Sequence, residues 1–179
     1  MLRYAKGDAG AFDELYARHR GGLFRYLLRQ LGSNRAIAEE LFQEIWIGLI
    51  GARTRYRVEA KFTTWLYTLA HNRVIDYYRR HRPMAVVSLE GDIEDDPPEV
   101  PAPGTAQPER IAEARQQAAR LLALVDGLPQ VQREAFLLHE EAGLNIDEIA
   151  AVTGTDREAI KSRLRYALDK LRRGMGDAL

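Results

Sequence analysis

Cysteine is absent from the 179 residues, which excludes a disulfide framework and any thiolate metal site. No apolar run reaches the ~20 residues that a membrane-spanning helix needs. The opening residues, Met1-Leu2-Arg3-Tyr4-Ala5-Lys6-Gly7-Asp8, lack the apolar stretch of a signal peptide. A cytoplasmic chain without membrane insertion is expected. Period-two alternation of any length is missing too, so the predicted fold class is all-α. Glu-x-x-His pairs, which a helical-bundle metalloenzyme would need, do not occur. His139-Glu140-Glu141 has part of a zinc motif, but position 143 is Gly143 where the second histidine would stand. No catalytic constellation, metal site or cofactor site is predicted.

What is present is charge, unevenly placed. The formal net charge is zero, yet residues 1–85 hold 15 Lys/Arg against 8 Asp/Glu, a balance of +7. Residues 86–119 hold 2 against 8, or −6, and the stretch 157–173 holds 7 against 2, or +5. Basic blocks of this kind suit a polyanion, whose condensed counterions they displace. Solvated helix faces are the plainer alternative.

Apolar spacing predicts helices from Asp8, a cap, through Leu31, with Gly21-Gly22 as a candidate bend; over 35–50; and over 64–82. Residues 86–108 lose the pattern and are acidic and rich in proline. Such a segment buries too little apolar surface to offset its ordering entropy and reads as an extended linker. Two small helical domains, 1–85 and 109–179, are expected on either side.

The sharpest local signal lies in 145–173. Asn145-Ile146-Asp147-Glu148 has the form of a capping box, and Gly154 can close the short helix that follows. Thr155-Asp156-Arg157-Glu158 reads as a second capping box. This is the layout of a helix-turn-helix, whose second helix enters the DNA major groove. On that helix Ile160, Leu164, Ala167, Leu168 and Leu171 share a core face, while Arg157, Glu158, Lys161, Ser162 and Arg165 share the face that can meet bases and phosphates. An ordinary helical hairpin is the alternative.

In the first block, Phe62-Thr63-Thr64-Trp65 precedes Ala70-His71-Asn72-Arg73-Val74-Ile75-Asp76-Tyr77-Tyr78-Arg79-Arg80. Aromatics interleaved with arginines suit opened nucleic acid, with bases stacked on rings and phosphates beside cations. Residues 39–46 differ. Glu39, Glu40, Gln43 and Glu44 surround Leu41, Phe42 and Trp46, an acidic, aromatic face suited to a protein partner or to a plain amphipathic helix.

Together these residues resemble the extracytoplasmic-function (ECF) sigma factors of bacterial RNA polymerase over nearly the whole chain. The resemblance implies that 38–46, with Glu39, Glu40, Leu41, Gln43, Glu44 and Trp46, binds the beta-prime clamp helices of core polymerase. It assigns Phe62, Trp65, Asn72, Arg73, Asp76, Tyr77, Arg79 and Arg80 to the minus-ten element, a loop near Asn72 capturing a flipped base. Arg157, Glu158, Lys161, Ser162 and Arg165 are assigned to the minus-thirty-five element. It further implies contact with the beta flap, a linker threading the RNA-exit path, and inhibition by an anti-sigma factor. Glu40 replaces the family's usual aspartate, and Glu158-Ala159-Ile160 replaces Gly-Thr-Val. The rival is a stand-alone helix-turn-helix regulator, which would ordinarily dimerise on two half-sites.

Overall fold

A computed structural model of the chain describes residues 1–58, 60–81 and 108–176, and every described regular element is helical. The helices are α1 (Leu2–Ala5), α2 (Ala9–Gln30), α3 (Arg35–Gly51), a 3₁₀ turn at Arg53–Arg55, α4 (Phe62–His81), α5 (Pro108–Asp126), α6 (Gln130–Glu140), α7 (Ile146–Thr153) and α8 (Arg157–Gly176). The acidic linker expected at 86–108 lies outside the described residues but for Pro108, the first residue of α5.

Local chemistry sets several of the boundaries. Asp8 caps α2, its Oδ1 accepting from the Ala11 amide at 3.2 Å. That bond, ahead of the Arg3 guanidinium, holds the Asp8 carboxyl below its ordinary range. Asn34 caps α3 in the same way through the Ile37 amide. The bend considered at Gly21-Gly22 is not there. The helix runs on through both glycines, and Gly22 serves a close approach instead: a Cβ there would stand 2.8 Å from the Glu141 backbone carbonyl oxygen.

Helices α1–α4 form an N-terminal bundle around Leu23, Leu27, Ile45, Leu49, Leu66 and Ala70, each almost wholly buried. Helices α5–α8 enclose Leu138, Leu144, Ile149, Ile160 and Ala167. The two bundles are in contact. Helix α6 packs on α2 and α7 packs on α4, so one apolar cluster runs through both.

Candidate nucleic-acid and polymerase interfaces

The turn between α7 and α8 is built as the residues dictate. Asn145 Oδ1 accepts from the Glu148 amide at 3.0 Å, and Glu148 Oε2 accepts from the Asn145 amide at 2.9 Å, a complete capping box. Gly154 closes α7 in the left-handed conformation at φ 62°. The second cap differs from expectation by one residue. Asp156, not Thr155, accepts from the Ala159 amide at 2.8 Å, because Thr155 is still engaged in the turn through its amide to the Ala150 carbonyl. Glu158 therefore stands in the first turn of α8 with its side chain free of any capping duty.

Helix α8 buries Ile160, Leu164, Ala167 and Leu171, with Leu168 half-buried. Arg157, Glu158, Lys161 and Arg165 are exposed and Ser162 half-buried on the other side. Three of these are tethered: Arg157 pairs with Asp147 at 2.8 Å, and Lys161 with Glu158 at 3.8 Å. Tyr166, 53% exposed with the Arg165 guanidinium 5.0 Å from its ring centroid, joins this face. Sequence reading passed over it, although its place beside Arg165 was visible.

On α4, Trp65, Asn72, Asp76 and Arg79 fall along one stripe, at intervals of seven, four and three residues. Arg73 and Arg80 flank it, Arg73 reaching Glu44 of α3 at 3.7 Å. Phe62 leans on Trp65 and His19, and Tyr77 stacks on His81 with ring centroids 4.3 Å apart. One expectation is corrected. Asn72 lies in the middle of α4, exposed, with no loop around it. Ahead of α4, the 3₁₀ turn and its exit bring Arg55, Tyr56 and Arg57 beside Trp65 around a cavity of about 550 Å³. The Tyr56 ring meets Trp65 edge-on at 5.1 Å. Arginine at every second position of Arg53-Thr54-Arg55-Tyr56-Arg57, with Tyr56 between two of them, was the overlooked signal.

The face of α3 needs a second correction. Trp46 and Leu41 are only 5% and 6% exposed, so neither presents a surface anchor. Trp46 sits among Phe12, Tyr16 and Phe42, with ring centroids 5.0–6.2 Å away. Helix α2 brings Phe12 and Tyr16 over α3, and large rings gain most by burial against one another. Glu39, Glu40 and Gln43 are exposed and Glu44 half-buried. Ile47, 68% exposed, and Ile50, 43% exposed, extend the stripe that Glu40, Gln43 and Glu44 begin. The apolar part of this face is therefore aliphatic, with Ile47 and Ile50 in place of the tryptophan.

Family comparison agrees with this layout. Residues 15–83 match the model of Sigma-70 region 2, and residues 118–171 match that of Sigma-70, region 4. The chain is 30% identical over 180 aligned residues to the RNA polymerase sigma factor CarQ of Myxococcus xanthus, covering 99% of this chain and 96% of that protein. To the ECF RNA polymerase sigma factor RpoE of Cereibacter sphaeroides it is 31% identical, covering 94% and 88%. In fold it resembles the sigma factor RpoE of Bartonella quintana, solved with the anti-sigma factor NepR. The TM-score is 0.66 at 18% identity, over 93% of this chain and 97% of that one.

Proposed function

The chain belongs to the sigma-70 family of RNA polymerase sigma factors, within its extracytoplasmic-function class, and from that premise we propose how its surfaces divide the work of initiation. It directs core polymerase to promoters and assists their melting. Residues 1–85 act as sigma domain two, 86–108 as linker and 109–179 as sigma domain four. Glu39, Glu40, Gln43, Glu44, Ile47 and Ile50 meet the clamp helices of beta-prime, the carboxylates steering and the isoleucines supplying apolar contact. The α4 stripe of Trp65, Asn72, Asp76 and Arg79 receives the minus-ten strand, with Phe62, Arg73, Tyr77 and Arg80 beside it. A base drawn from the duplex must recover the few kcal/mol that extrusion costs, and the aromatic–arginine cavity at Tyr56 and Trp65 offers the stacking that does so.

Lys161 and Arg165 read minus-thirty-five base edges, while Arg157, Glu158 and Ser162 set phosphate register and select among bases. The chain supplies no chemistry of its own, since nucleotide addition belongs to the polymerase. It works in the cytoplasm where the polymerase is, in contact with the beta flap and under an anti-sigma factor of the kind bound to the Bartonella relative. The observation that carries this reading is the open recognition face of α8, in one chain with the aromatic and cationic stripe of α4. Run-off transcription tests it. Core polymerase plus this chain should initiate at discrete promoters, and retention of core without any discrete transcript would defeat it.

A further inference from the structure

Among the α8 side chains assigned to the minus-thirty-five element, Arg157, Glu158, Lys161, Ser162 and Arg165, Glu158 alone is a carboxylate. Every phosphate along the groove repels a negative charge there, so its place on this face calls for a reason. The fold does not supply one. Asp156 already caps the helix and takes the benefit that the helix dipole offers an acid at this end. The pair with Lys161 is exposed on both sides, at 3.8 Å, and exposed pairs contribute little to stability. The neighbouring cations are unequally free. Arg157 turns back to α7, one of its nitrogens donating to both Asp147 carboxylate oxygens at 2.8 and 2.9 Å. Lys161 stands about one turn on from Glu158, on the same side of the helix. Arg165 follows a turn later, its guanidinium 5.0 Å from the Tyr166 ring centroid. From the start of α8, the charges left to meet DNA therefore run acceptor, donor, donor.

We propose that Glu158 and Lys161 act as one unit that reads a single C·G base pair of the minus-thirty-five element, with Glu158 selecting the cytosine. In the major groove that pair shows the amino donor on cytosine N4 beside the O6 and N7 acceptors of guanine. A carboxylate and an ammonium 3.8 Å apart present the complementary order, acceptor beside donor. Thymine O4 and guanine O6 would face the carboxylate acceptor to acceptor. Adenine brings an amino group, but its N7 acceptor stands next to it and repels the second carboxylate oxygen. Cytosine offers a donor with no acceptor of its own on that edge. The direction of the helix places Glu158 ahead of Lys161, so C·G is told from G·C. Selection comes mainly by rejection, since a wrong base leaves a carboxylate desolvated without a donor. The inference rests on α8 as the promoter-reading helix and deepens that reading.

Holoenzyme assembled from core polymerase and the full chain tests this on a promoter selected from a randomised pool. Each base pair of its upstream element is then replaced in turn by the other three, and initiation is measured. With the native chain one position should demand C·G, each replacement there lowering initiation roughly tenfold or more. Glu158→Gln keeps the shape of the side chain and sets a donor beside the acceptor, the bidentate partner of adenine N6 and N7. Its preference at that position, and at no other, should move to A·T. Exchanging the charges, Glu158→Lys together with Lys161→Glu, should move the preference to G·C. Because the exchange places a cation at the helix start, its circular-dichroism melt is followed in parallel, and Glu158→Gln decides the matter if the exchanged chain does not fold. An unchanged base preference in Glu158→Gln, or a loss of initiation spread evenly over all the promoters, would overturn the proposal. So would native holoenzyme that requires an upstream element without any C·G position, and α8 would then still be the reading helix. Native holoenzyme indifferent to every upstream substitution would be the failure of that underlying reading, and of the proposal with it.

Discussion

Helices α4 and α8 are both assigned to promoter DNA, yet the molecule treats them oppositely. Helix α8 lays Lys161 and Arg165 open to solvent, with only short-range tethers inside its own bundle. Helix α4 has one side against α2 and α3, a second against α7, and only the stripe from Trp65 to Arg79 left between them. The difference follows from sequence order and charge. Helix α8 needs one buried face to close a small bundle and can devote the other to recognition. Helix α4 is the last helix of its bundle, and its Tyr67 and His71 reach Glu141 and Glu134 of the C-terminal bundle. The two surfaces should accordingly fail in different ways when altered.

The largest effect is expected on the open side. Replacing both Lys161 and Arg165 by alanine should weaken promoter binding by ~1–3 kcal/mol for each side chain that reads a base edge. Upstream footprint protection should vanish while a template already melted at minus-ten is still transcribed. Neither residue supports the fold, so the circular-dichroism melt should not move. Preserved upstream protection would break the comparison by showing that α8 is no more a reading surface than α4.

A smaller and opposite effect is expected from Asn72→Ala. The residue is exposed in mid-helix and makes no cap, so its replacement should not destabilise α4. If its amide holds an extruded base, the variant forgoes one hydrogen bond of about 1 kcal/mol, slowing open-complex formation about fivefold with closed-complex binding unchanged. Permanganate reactivity of the minus-ten thymines measures this. Normal melting would transfer the base-holding role to the Tyr56–Trp65 cavity.

These contrasts bear on what the sequence could reveal. The capping box at Asn145, the left-handed Gly154 and the inward face of α8 were legible because each depends on neighbours within a few residues. The displaced cap at Asp156 was a near miss of the same local kind, decided by which of two adjacent polar residues the turn already used. Trp46 was misplaced for a different reason. Its burial depends on Phe12 and Tyr16, thirty or more positions away, and periodicity along α3 cannot report which ring another helix will cover. Gly22 is the extreme case. A glycine pair inside a helix reads as a bend until Glu141 is seen against it. The carboxylates of the C-terminal bundle that hold Arg25, Arg29, His71 and Lys61 were likewise visible only as scattered acids in an almost neutral segment, since pairing across the junction is a property of packing.

The smallest predicted effect joins the two regions through one residue. Glu148 caps α7 through the Asn145 amide and also reaches across to Lys61 of the N-terminal bundle. Its carboxyl is held below the ordinary range, first by the bond to Lys61 and then by the Asn145 amide. A carboxyl whose pKa is lower in the folded state stabilises the fold above its unfolded pKa, and that contribution disappears as pH falls through the folded value. Lys61→Met removes the larger cause and leaves the cap. The ion pair to the N-terminal bundle is then gone at every pH, and the Glu148 titration should move up toward the usual carboxylate range, so the cap gives way at higher pH than before. Carboxyl chemical shifts of Glu148 followed through an acid titration measure the shift directly. Asn145→Ala should act on the cap itself, costing about 1 kcal/mol of stability while leaving Lys61 in place. If Lys61→Met left the Glu148 titration where it stands in the native chain, the lysine would not be its partner, and the junction would have one carboxylate–cation pair fewer than the geometry assigns.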